Sequence, residues 1–277
     1  MQNVPFYLKE ADLNLKALFL PDSDEYDLYD MDIKNAEMRV LCAYSEDEAL
    51  TNAFNLGMDL HSLTASGISE FTYDQIMEKK EDANSEEYRQ RQVAKKVNFG
   101  TIYCMGPETL KNNLWKEMRI EVTVAEAEAY LQKFFQQYPD VARYIAATQR
   151  FAQRFKFTHT LTGRRRRFPI ATYNTRHVTR AGRQAVNGRV QTTSADIVGM
   201  NLVDLDRAVA PLGGRVILTV HDSILFQLPK DAVNVKALLD EVIIDNTREK
   251  CPWLPVVWAY DVGYGSSYGE AKLPLVA

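Results

Sequence analysis

The run "GRVILTVHDSILFQLP" at residues 214–229 constrains this chain more than any other stretch. Both arms, 216–220 and 224–226, are aliphatic, β-branched or aromatic, the composition of strands. A carboxylate inside a buried strand is costly unless it is paired or binds metal. The spacing therefore predicts a tight β-hairpin with His221, Asp222 and Ser223 at its tip. Asp and Ser equally favour ordinary surface turns, so the tip becomes a site only if a second carboxylate joins it.

The other bounds are broad. The chain has 277 residues, 46% of them hydrophobic and a quarter charged, the make-up of a globular protein of one or two domains. Its apolar runs fall short of the roughly 20 residues that span a bilayer, and "MQNVPFYLKEADLNLK" has no signal-peptide pattern. Cys42, Cys104 and Cys251 have no metal-ligand spacing and are expected as free thiols in a reducing, cytoplasmic setting. Net charge is −4, yet "RQRQVAKK", "GRRRR" and "TRAGRQAVNGR" are basic clusters. Such clusters suit a local polyanion-binding surface or simply solvated faces.

"YDLYDMDI" reads as a strand and "KNAEMRVLCAYSEDEALTNAFNLG" as a helix. In "ANSEEYRQRQVAKKVNFGTIY", Asn84 is the expected N-cap, with Glu87 three residues on. "TVAEAEAYLQKFFQQYPD" is a helix opened by Thr123 and Glu126 at capping-box spacing and ending near Pro139. Further helices are expected over 140–155, 178–208 and 231–249, with a last strand in "VVWAYDVGYG". Without regular βαβ alternation, the expected class is α+β.

The second carboxylate is Asp32, at the end of the first strand. An Asp there stands at the rim of a sheet, where two segments can bind one cation. Two such residues on adjacent strands could hold two Mg²⁺ ions roughly 4 Å apart for phosphoryl transfer. Arg91, Lys95, Phe99 and Tyr103 recur every four residues along one helix face. An Arg and a Lys one turn apart can grip a triphosphate, and an aromatic further on can stack any base.

These segments together resemble family A DNA polymerases, the DNA polymerase I group. "DIKNAEMRVLCAYSEDEAL" resembles the Asp-x-x-x-x-Glu-x-Arg motif and its helix. "MDLHSLTA" resembles "DIHxxTA", and "RQVAKKVNFGTIYCMG" resembles the fingers helix "RxxxKxxNFGxxYG". "YLQKFFQQYPDVARYI", "TLTGRRRRFP", "RQAVNGRVQTTSADI", "VHDSILF" and "YDVGYGSSYGEA" follow in family order. The resemblance implies a polymerase palm, an antiparallel sheet with helices, carrying inserted helical fingers. Its parts would be palm over 1–57, fingers over 58–160 and palm again over 161–277.

It also implies roles. Asp32, Asp222 and the backbone carbonyl of Ile33 would hold two Mg²⁺ ions, with Mn²⁺ able to substitute. Asp32, Asp222 and Lys95 would be catalytic, and the primer 3′-oxygen would attack the α-phosphate of a dNTP. Arg91, Lys95 and His61 would contact the triphosphate, while Phe99 and Tyr103 form the nucleotide pocket. Glu37 would crowd a ribose 2′-OH, and Phe99 resembles members that discriminate against dideoxynucleotides. Arg183, Asn187, Gln191 and His221 would meet primer-template DNA, and Arg164 and Arg165 its backbone.

Departures are visible. Ser223 stands where the family has Glu, so Ser223→Glu is expected to raise activity or metal affinity if that loss matters. Ile33 and Lys34 replace Tyr-Ser, Arg189 a Pro, Thr192 a Gly and Cys104 another Gly. "MQNVP" resembles the tail of a longer family motif, so thumb and exonuclease domains are expected to be absent. The expectation is the C-terminal part of a split or truncated polymerase, as a virus or phage could encode, with a thumb-bearing N-terminal polypeptide as partner. The competing functions are a catalytically weak DNA-binding remnant and a single-subunit RNA polymerase; Glu37 and Phe99 count against the second.

Overall fold

The computed structural model describes residues 7–8, 13–169, 174–271 and 273–274, so the "MQNVP" resemblance lies outside the described residues. The chain divides into two compact units: 1–36, 194–253 and 257–277 form one, 37–193 and 254–256 the other.

The first unit is built on an antiparallel sheet. Its strands are β3 (Tyr26–Ile33), β6 (Arg215–Val220), β7 (Ser223–Pro229), β8 (Tyr260–Gly265) and β9 (Leu273–Pro274), in the order β6-β7-β3-β8-β9. Two short strands, β1 (Tyr7–Leu8) and β2 (Leu13–Asn14), pair separately. Period-two alternation divides the side chains of β3. Tyr29, Met31 and Ile33 are buried on one face; on the other, Leu28 is buried, Asp30 half-buried and Asp32 open to solvent. Tyr29 stacks between Phe226 and Tyr264, at 5.2 and 6.0 Å between centroids. The α+β expectation therefore holds, with the sheet antiparallel throughout.

The hairpin forms where the apolar arms predict it, but its tip is only His221 and Asp222. Ser223 already belongs to β7, paired with Val220 and with Asp32. His221 takes a φ of 57°, the left-handed conformation that closes the turn. At the other end of the hairpin, a Cβ on Gly214 would lie 2.5 Å from the Gln227 carbonyl, so only glycine fits there. The helix expected from 231 begins at Val235, because Asp231 is left-handed and the Asn234 side chain accepts from the Ala237 N–H. It runs as α10 (Val235–Leu239), a wider π-type turn (Asp240–Asp245) and α11 (Asn246–Lys250).

The second unit is mainly helical: α1 (Ala36–Ser45, entering after Ala36), α2 (Glu48–Asn55), α3 (Leu60–Ile68), α4 (Tyr73–Glu78), α5 (Glu86–Ile102), α6 (Pro107–Met118), α7 (Val124–Gln137) and α8 (Pro139–Phe155). A small hairpin of β4 (Phe157–His159) and β5 (Arg165–Arg167) follows. The 35-residue α9 (Thr175–Val209) passes into the first unit at Ser194.

Two sequence expectations change here. The single helix expected over 34–57 breaks into α1 and α2, because Glu46 is left-handed and Asp47 caps a new start. One oxygen of Asp47 accepts from the Leu50 N–H at 3.0 Å and the other from Asp140 at 3.0 Å, so one carboxylate serves the first turns of α2 and α8. The N-cap of α5 is Ser85 rather than Asn84: the Asn84 N–H is taken up by the Asp82 side chain, and the Ser85 hydroxyl accepts from Tyr88. The Thr123–Glu126 capping box forms as read. Among the described residues no helix is long and apolar enough to cross a membrane, and Cys42, Cys104 and Cys251 are free.

Candidate functional site

The acid edge belongs to the sheet unit. β3 runs between β7 and β8, which places Asp32 directly across from Ser223 on one side and Asp261 on the other. One residue further, the Ile33 N–H donates to the Asp222 carbonyl at 3.1 Å. That bond brings the tip of the hairpin to the end of β3 and sets Asp222 beside Asp32. The Asp32 carboxyl is pushed up to about 6, first by the protein packed around it and then by the negative charges of Asp222, Asp30 and Asp261. Lys34 pairs with Asp261 at 2.6 Å, which gives this departure from the family pattern a structural role. His221 is exposed at the tip.

These residues fit a hard divalent cation. Two carboxylates stand at one open edge, and the charge of Asp222 opposes the ionisation of Asp32. Among the described residues no three His, Cys, Asp or Glu form a ready-made cage. Mg²⁺ is commonly bound in just this way, through one or two carboxylates with substrate phosphates completing the shell.

The basic-aromatic face belongs to the helical unit. Arg91, Lys95 and Phe99 lie on α5, and Tyr103 is its C-cap. Lys95 is exposed. Arg91 makes a two-pronged ion pair with Asp59, at 2.8 and 3.2 Å, and reaches Ser62 at 3.2 Å. Asp59 is the N-cap of α3; although burial opposes it, the bonds from Arg91 and Ser62 hold its carboxyl down to about 2. His61 is buried, with its ring 5.7 Å from that of Phe99. The Asn98 amide lies 2.9 Å from His61 Nδ1 and, donating there, leaves the ring proton on Nε2. Burial first, then Arg91 and Lys95, lower the imidazole to about 4 against the pull of Asp59. At neutral pH His61 is thus an uncharged hydrogen-bond donor.

Tyr103 gathers several expected residues. Gln191 donates to its hydroxyl at 2.6 Å, and burial and the Glu37 carboxylate raise its pKa. The Asn187 side chain also lies within hydrogen-bonding reach of this hydroxyl and favours its ionised form. Phe99, Tyr103, Cys104 and Arg183 help line a cavity of about 370 Å³. Cys104, which stands for a family Gly, keeps a glycine-like φ of 51°. Arg189, the departure from Pro, lies over the Tyr44 ring at 4.4 Å and donates to the His159 carbonyl and the Thr148 hydroxyl. Arg164 and Arg165 are exposed in the small hairpin, but Arg165 also stacks on Phe157 at 3.7 Å.

The structure thus brings Asp32, Ile33 and Asp222 to one edge, and Glu37, Phe99, Tyr103, Asn187 and Gln191 into one neighbourhood of the helical unit. It ties Arg91 to a carboxylate that sequence reasoning missed. Asp59 was marked by its cap position three residues before Ser62, and Asp30 by the alternation in "YDMD".

The family described as DNA polymerase family A matches residues 1–270. The chain is 32% identical over 276 residues to DNA polymerase I of Deinococcus radiodurans, covering 98% of this chain and 26% of that protein. It is 32% identical to DNA polymerase I of Streptococcus pneumoniae, covering 98% and 29%. A solved structure described as the POL domain of Pol1 from M. smegmatis, in complex with DNA primer-template and dNTP, superposes with a TM-score of 0.80 at 26% identity, covering 98% of this chain and 45% of that one. The chain thus spans under a third of the length of these curated relatives. It belongs to DNA polymerase family A.

Proposed function

We propose that this chain carries out template-directed DNA synthesis, transferring deoxynucleotides from dNTPs to a primer 3′-oxygen. The observation that carries this reading is the register of β3 against β7, with the Ile33–Asp222 bond, which joins two acids from distant segments at one open edge. Asp32, Asp222 and the Ile33 carbonyl would hold two Mg²⁺ ions, with Mn²⁺ as a substitute. When bound, such cations neutralise charge on the attacking, transferred and leaving oxygens.

The chain's own residues bind and orient. Lys95, exposed on α5, offers a point charge to the triphosphate, and Arg91 offers a fork already oriented by Asp59. His61 would add a neutral Nε2–H. Glu37, beside the Tyr103 hydroxyl, would crowd a ribose 2′-OH, and Phe99 would carry the base. Arg183, Asn187 and Gln191 would meet minor-groove acceptors, whose near-uniform pattern permits a check of pair shape without reading sequence. His221, Arg164 and Arg165 would meet the DNA strands. The division into palm (1–57 and 161–277) and fingers (58–160) belongs to the same proposal, as does a cytoplasmic setting.

The test is primer extension by the purified chain on a primed template with Mg²⁺ and four dNTPs, beside Asp222→Ala. Extension that vanishes in the variant supports the reading. Extension that persists in it overturns the assignment of the acids. A second arm adds a thumb-bearing fragment of a relative, to test whether such a polypeptide acts as partner. Ser223, in place of Glu, favours the second reading, a DNA-binding remnant that retains primer-template and extends it in neither arm. Substituting ribonucleotides separates both from RNA synthesis.

A further inference from the structure

The replacement of Glu by Ser223 removes one carboxylate from β7 at the level of Asp32, and the sheet register shows what stands nearby instead. Asp30 lies two residues before Asp32 on β3, so the two side chains share a face. Across the ladder, Asp30 is opposite Leu225 and Asp32 opposite Ser223, which makes Asp30 and Ser223 diagonal neighbours. Ser223 is buried, and its hydroxyl donates to Asp30 Oδ1. A serine hydroxyl has a single proton, and here it goes to the carboxylate of the adjacent strand. Asp261, on the other flank of Asp32, is paired with Lys34 at 2.6 Å. Burial opposes the charge of Asp30, while the Ser223 hydroxyl and the more distant Lys16 ammonium favour it.

We infer that Asp30 supplies from β3 the carboxylate that Ser223 removes from β7. Fixed by the Ser223 hydroxyl, it is a positioning residue that adds negative charge behind Asp32 and Asp222 and strengthens divalent-cation binding. It acts without being a ligand, in keeping with the lack of a three-acid cage among the described residues. This rests on the proposed function, because it needs Asp32 and Asp222 to be the cation-binding pair. It also reverses the sequence expectation for Ser223→Glu: with Asp30 in place, a second carboxylate on β7 meets a like charge across the ladder, and affinity does not rise.

The experiment moves the carboxylate. Mn²⁺ binding to the whole chain is titrated by the electron paramagnetic resonance of free Mn²⁺, with primer extension across a Mg²⁺ series as a second readout. Asp30→Ala and Asp30→Asn should each weaken Mn²⁺ binding about tenfold, the loss typical when a group supporting a metal ligand is removed. Asp30→Asn keeps an acceptor for the Ser223 hydroxyl, and decides the matter if Asp30→Ala fails to fold. Ser223→Glu alone should bind no more tightly than the parent, and Asp30→Ala/Ser223→Glu should recover most of the loss. Parent-like binding by Asp30→Asn, tighter binding by Ser223→Glu alone, or a folded double variant as weak as Asp30→Ala would each overturn the inference. Asp32→Ala is the control: if Mn²⁺ binding survives it, the acid-edge assignment itself has failed, a result separate from any outcome at Asp30.

Discussion

His61 is held uncharged by the residues around it, and this has a consequence for folding. Its pKa of about 4 lies below the ordinary 6.5 of an unfolded histidine. Above pH 6.5 both states are neutral and the stability is complete. As pH falls from 6.5 towards 4 the unfolded chain takes up the proton first, and stability is lost by up to about 3 kcal/mol. Urea midpoints at pH 7 and pH 4.5 should therefore converge in His61→Gln relative to the parent, since every other titrating group is common to both. Equal pH slopes in the two proteins would remove His61 as the cause. The residue was legible in "MDLHSLTA" as a candidate contact, whereas its neutrality was not: that depends on Asn98, 37 positions along the chain and buried beside it. The Asp30–Ser223 bond was hidden for the same reason. Each residue is plain in the sequence, but their meeting needs a strand register spanning 193 positions.

Among the elements, those with strong periodic or β-branched patterns were readable. β3, the hairpin arms, α7, α8 and α9 all appear near their expected places. The misses are local competitions. Either Asn84 or Ser85 could cap α5, and the Asp82 turn decided between them. β5 lies inside "GRRRR", where four like residues give no alternation to read, and it is a strand because β4 pairs with it. A buried network in the sheet unit was also invisible: Asn201 on α9 donates to Thr247 on α11 at 2.8 Å and accepts from the Trp258 indole at 2.8 Å. Asn201→Ala leaves both partners buried without their bonds and should cost about 2–4 kcal/mol. A chemical denaturation midpoint that shifts at constant m-value would establish this, and an unshifted midpoint would mean that the network relaxes.

For the molecule as a whole, a net charge of −4 coexists with exposed arginines in the small hairpin and on α9. On the proposed function, binding to primer-template DNA should depend steeply on salt despite the overall sign. Arg164→Gln/Arg165→Gln should reduce the slope of log affinity against log salt by almost 2, at about 0.9 for each phosphate no longer neutralised. A slope that does not change would assign Arg165 to its stack on Phe157 alone. The sheet has a further consequence, for the order in which the chain acquires its abilities. Residues 37–193 form one nearly continuous unit, but β3 is hydrogen-bonded to strands that start at Ser223 and Tyr260. Synthesis from the N-terminus lets local structure form first and leaves such distant pairings until last. A growing chain can thus fold residues 37–193 while Asp32 still waits, unpaired, for both of its neighbours. The acid edge forms only after the strands that begin at Ser223 and Tyr260 have been made.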